Sequence, residues 1–114
     1  MAEAEFDGNT VLLTAGAVLD LRAIYERICK HDRVAKANSM LAHFVALTDN
    51  LTQFPLTGFV VPELRDLGVT QYRELFFKPY RMLYRVTGTE IVIYLITDSR
   101  REMQSLLERR LFEA

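Results

Sequence analysis

The run from Gln71 to Arg101, QYRELFFKPYRMLYRVTGTEIVIYLITDSRR, decides the fold. β-Branched and aromatic residues flank Thr87-Gly88-Thr89, and a third such run precedes Lys78-Pro79, so the pattern predicts three strands joined by tight turns, a meander. Glu90 to Ile96 is apolar at both parities, which suits a strand covered on both faces and therefore a central one. In the strand before it, Tyr80, Met82, Tyr84 and Val86 share one face, and Arg81, Leu83 and Arg85 share the other. Arg81 and Arg85 are thus expected to lie partly exposed beside an apolar core. Arg100 and Arg101 follow the last strand, so four arginines are expected to converge on one region.

Upstream of the meander, Thr10 to Thr14 is a short β-rich run, and Thr14 is placed to cap a helix that begins at Ala15. Val18, Leu21, Ile24, Tyr25 and Ile28 recur at spacings of three and four, which predicts an amphipathic helix to about Lys30 with Asp20 on its polar face. Asp32 is the expected cap of a second helix, striped by Val34, Ala37, Leu41, Phe44, Leu47 and Leu51 and ended by Phe54-Pro55. So short a link makes the two an antiparallel hairpin, one face of which packs on the sheet. Phe59 to Val69 has neither period and reads as an ordered loop packed by Val60, Leu64 and Leu67. Downstream, Ser99 and Glu102 have capping-box spacing, and Met103, Leu106, Leu107 and Leu111 form the stripe of a third helix. Arg109 and Arg110 suit the negative pole at its end. The fold class is α+β.

At 114 residues one core is expected: a flexible segment over 1–10, then a single domain over 11–114. Half of the residues are hydrophobic and a quarter charged, ordinary for a globular chain but with an apolar share that leaves room for a partner-covered face. Met1 to Thr10 is acidic and has no basic, apolar run, so it does not read as a secretory signal. No stretch approaches the ~20 apolar residues of a membrane helix, and a cytoplasmic location is expected. The lone Cys29 has no partner for a disulfide or a zinc site and reads as a small hydrophobe on a helix. A net charge of -1 and a pI near 6.1 leave no global basic field of the kind that drives nucleic-acid binding. The basic residues crowd the last third, so the basic patch is local, fit for acidic protein or phosphate.

Arg100 and Arg101 fall in the first turn expected of the last helix, where the dipole disfavours cations by about 0.3 to 1 kcal/mol. Residues that break a local rule are candidates for function, and here they would reinforce an anion site. Arg73, Arg81, Arg85, Arg100 and Arg101 are accordingly the candidate partner-binding residues. His31 in the helix-to-helix turn and His43 on the second helix lie far from them in sequence and are read as non-catalytic. No Ser-His-Asp, metal-ligand or glycine-rich phosphate-loop spacing is present, so no metal or cofactor is expected.

Taken together, DLRAIYERI, PELRDLG, YRELFFKPYRMLYRV and DSRREMQSLLERRLF resemble the ParE/RelE superfamily of type II toxins, on the ParE-like side, over nearly the whole chain from about Val11. The resemblance implies a β-α-α-β-β-β order with a C-terminal helix, the helix hairpin packed on a mostly antiparallel sheet. It implies a plasmid-stabilisation type of toxin that binds DNA gyrase, with a cognate ParD-like antitoxin that wraps it into a hetero-oligomer. The alternative it carries is a RelE-like, ribosome-dependent mRNA endonuclease. In that pattern the arginines fall on Arg81 and Arg101, the candidate catalytic pair, but the tyrosine falls on Leu107, which exchanges no proton. A third possibility is a degenerate member that only binds its antitoxin and helps repress the operon.

Overall fold

The computed structural model describes residues 9–99 and 102–112. The chain runs β1 (Thr10–Leu13), α1 (Ala15–His31), α2 (Val34–Gln53), β2 (Phe59–Val60), α3 (Pro62–Arg65), β3 (Tyr72–Phe77), β4 (Tyr80–Thr87), β5 (Glu90–Asp98) and α4 (Met103–Leu107), and α4 continues as a π-helical segment over Glu108–Phe112. Among the described residues these strands form one sheet in the order β1-β5-β4-β3-β2. β1 pairs with β5 in parallel, and the other pairings are antiparallel. The meander is therefore real, β5 is central, and the α+β class is the observed one.

Both faces of the sheet are covered, which explains why β5 is apolar at both parities. On the first face the hairpin of α1 and α2 packs Ala17, Ile24, Met40 and Phe44 against Met82, Tyr84, Ile91 and Ile93. On the second, α3 and α4 bring Val61, Leu64, Leu106 and Leu107 onto Leu83 and Leu95. A bulge in β5 makes this possible: Leu83 faces Leu95, but Tyr84 faces Ile93, so Tyr94 is the extra residue. Alternation thus switches parity, and Ile91, Ile93 and Ile96 all serve the first face while Leu95 serves the second.

Local chemistry explains the element ends. The Thr14 hydroxyl accepts from the Ala17 amide at 3.1 Å and caps α1 as expected. Asp32 does not cap α2; Arg33 holds that position without a side-chain bond, and the Asp32 carboxylate pairs with Lys36 at 3.0 Å instead. Ser99 does not cap α4 either. Its amide donates to the Pro79 carbonyl, and Glu102 is the cap, accepting from the Ser105 amide at 2.6 Å. The expected loop over Phe59–Val69 contains the short β2 and α3, too brief to leave a periodic signal. Leu64 packs there as expected, but Leu67 stands exposed. In the β4–β5 turn, Gly88 has a left-handed φ of 62°, which glycine adopts without strain.

Candidate functional site

Arg81 is the centre of the second face, and it is not partly exposed as the alternating pattern predicts; only 7% of it meets solvent. The two-residue Lys78-Pro79 turn pairs Phe77 with Tyr80, which sets Glu74 opposite Leu83 and so diagonal to both Arg81 and Arg85. Arg81 takes the contact: its Nε donates to Glu74 at 2.7 Å, and both terminal nitrogens donate to Glu63 of α3 at 3.0 and 3.2 Å. Phe76 covers the guanidinium with its ring centre 5.8 Å away. Burial opposes the Arg81 charge, but the bonds to Glu63 and Glu74 outweigh it and hold the group above its ordinary pKa. The two carboxylates diverge. Hydrogen bonding from Arg81 lowers Glu63, whereas burial raises Glu74 in spite of the same arginine.

The remaining candidates are distributed differently from the expectation. Arg85 shares the face of Arg81 and lies 5.8 Å from the ring centre of Tyr72, which meets Tyr94 edge-on at 5.5 Å. No carboxylate pairs with it among the described residues. Arg73, opposite Tyr84 in the register, belongs to the first face and donates to the Gly58 carbonyl at 2.8 Å. Arg100 and Arg101 lie outside the described residues. The structure therefore brings Arg81 and Arg85 onto one face, and of these two Arg85 is the one without a carboxylate partner among the described residues.

The phenols of Tyr72 and Tyr94 stand beside Arg85 on this face, whereas the position expected of a catalytic tyrosine is apolar. Leu107 is buried in the second core at 2% exposure, as the helix stripe requires. Tyr84 points to the first face, where its hydroxyl accepts from the Gly58 amide at 2.9 Å and donates to the Pro55 carbonyl at 2.8 Å. Burial raises its pKa, which removes it further from proton exchange near neutrality. Glu74, whose pKa burial raises, is 4% exposed and faces Arg81. His31 ends α1 and His43 lies midway along α2, and both line a cavity that sequence separation concealed. No group of three or more His, Cys, Asp or Glu residues able to hold a metal ion occurs among the described residues. Nor is any described helix long and apolar enough to cross a membrane.

The ion cluster was legible in part, since the turn fixes the register that makes Glu74 and Arg81 neighbours; Glu63 left no signal. Comparison with known proteins adds the family. The profile for the ParE toxin of type II toxin-antitoxin systems, parDE, matches residues 11–103. The chain is 29% identical over 91 residues to Toxin ParE3 of Caulobacter vibrioides (strain ATCC 19089 / CIP 103742 / CB 15), covering 80% of this chain and 87% of that one. A solved chain of the chromosomal ParDE TA system from P. aeruginosa superposes with a TM-score of 0.65 at 27% identity, covering 79% of this chain and 95% of that one.

Proposed function

This chain belongs to the ParE toxin family of type II toxin-antitoxin systems, and on that premise we propose that it inhibits growth by binding DNA gyrase and not by cutting RNA. The observation that carries the choice is the occupancy of Arg81. An endonuclease needs groups to activate a ribose hydroxyl, to stabilise the phosphorane and to protonate the leaving oxygen. Arg81 would serve only the second of these and is already bound by Glu63 and Glu74, while Leu107 is core. Arg85, half-buried against Tyr72, keeps its donors for a carboxylate on a protein partner.

A ParD-like antitoxin is the proposed neutralising partner, consistent with the P. aeruginosa match to a ParDE system. Its amphipathic segment has a surface to cover: Val18, Leu21 and Tyr25 of α1 meet Leu41 of α2 along an apolar groove that continues past Val45. The activity test uses the full chain in two purified systems. Gyrase supercoiling should be inhibited, or cleaved DNA should accumulate, with reversal on addition of antitoxin. Ribosome-bound messenger in a cell-free translation system should stay intact. Codon-specific cuts in that messenger, with gyrase unaffected, would reject the gyrase reading.

A further inference from the structure

Away from the arginine face, the α1–α2 hairpin and the β3–β4 turn line a half-open cavity of about 420 Å³, a size that small-molecule sites share. Its lining is divided by chemistry. Ile28, Met40, Phe77 and Tyr80 supply an apolar and aromatic wall. Arg27, Lys36 and Lys78 bring three cations, against Asp32 as the one carboxylate, and Asp32 is already paired with Lys36. His31 and His43 add imidazole nitrogens at the same opening.

The start of α2 gives a second, independent sign. This 20-residue helix has no side-chain cap and no acidic residue in its first turn, and it places Lys36 there, where the dipole disfavours a cation. Asp32, Lys36 and Ser39 carry that end of the helix into the cavity wall. Excess cations favour a bound anion, and a cation held in the first turn against the helix dipole breaks a local rule, as functional sites do. An inorganic anion alone would leave the aromatic wall without use.

We propose that this cavity binds a nucleoside phosphate, with the base against Phe77 and Tyr80 and the phosphates among Arg27, Lys36, Lys78 and the two histidines. The site is separate from Arg85, so its failure would leave the gyrase reading standing, and a failed gyrase assay would not touch it. The test is calorimetric titration of the full chain with ATP, adenosine, inorganic phosphate and a short single-stranded oligonucleotide. ATP should bind with a Kd between about 10 μM and 1 mM, and adenosine and phosphate at least about tenfold more weakly. Lys78→Glu and His43→Glu, both at exposed positions, should each weaken ATP binding at least about tenfold with an unchanged thermal melt, while the remote Arg65→Glu should not. Four results would overturn the proposal: no heat with ATP at about 5 mM, variants that bind like the parent, phosphate as tight as ATP, or an oligonucleotide that binds more tightly than ATP.

Discussion

Glu74 sits where an ionised carboxylate is costly, and that cost has a pH signature. Burial raises its pKa in the folded chain, so its contribution to stability is full below the ordinary glutamate value of about 4.3 and is lost as pH rises through the folded value. Glu63 has the opposite sign: bonded by Arg81 and lowered, it stabilises above about 4.3 and loses that contribution as pH falls. Glu74→Gln keeps an acceptor for Arg81 and removes the first effect. Urea unfolding should therefore show the variant gaining on the parent between about pH 4 and pH 7, and parallel profiles would refute the assignment. Arg81→Ala strands both carboxylates and should cost about 3 to 5 kcal/mol, so any lost toxicity there reflects unfolding, visible as a lowered Tm, and not lost binding. The alternating pattern placed Arg81 on the correct face, but burial depends on α3 folding over it, which no period announces.

The C-terminal helix shows the same division between what periodicity conveys and what tertiary contact adds. Its stripe of Met103, Leu106 and Leu107 marks the buried side, and all three lie in the second core. Leu107→Ala should cost about 2 to 5 kcal/mol in equilibrium unfolding; a loss below about 0.5 kcal/mol would mean that the site is not packed. Arg110 was read as a partner of the helix dipole and Asp20 as a solvated residue of α1, yet they meet. Arg110 donates to both Asp20 oxygens at 2.8 and 2.9 Å and to the Tyr94 carbonyl at 3.0 Å, and the same carboxylate accepts from the Ile96 amide. Nothing local in the sequence joins residues so far apart. A double-mutant cycle of Asp20→Asn with Arg110→Met should give a coupling of about 0.5 to 3 kcal/mol, and additive losses would show the contact to be incidental.

At the scale of the whole molecule, the meander made the fold legible because a strand apolar at both parities must be covered on both faces, and the hairpin and the last helix are the periodic elements that announce such cover. The functional layout was less legible, because a sheet separates surfaces that are close in sequence. The apolar groove between α1 and α2 lies on the hairpin side, whereas Arg85 lies on the other face with Tyr72. An antitoxin that uses both must pass around an edge of the sheet, so it should bind as an extended, wrapping segment with two anchor points. Val45, 49% exposed beside the groove, and Arg85 report on the two anchors separately. Val45→Glu places a charge where an apolar side chain is to be buried, and Arg85→Glu turns an attraction into a repulsion; each should weaken the antitoxin by at least about tenfold. Because the two sites share no partner, the double variant should lose roughly the product of the two factors. Affinity measured by competition with labelled antitoxin decides the matter. A compact antitoxin confined to one face would leave one of the single variants with parental affinity, and the wrapping geometry would then have to be abandoned.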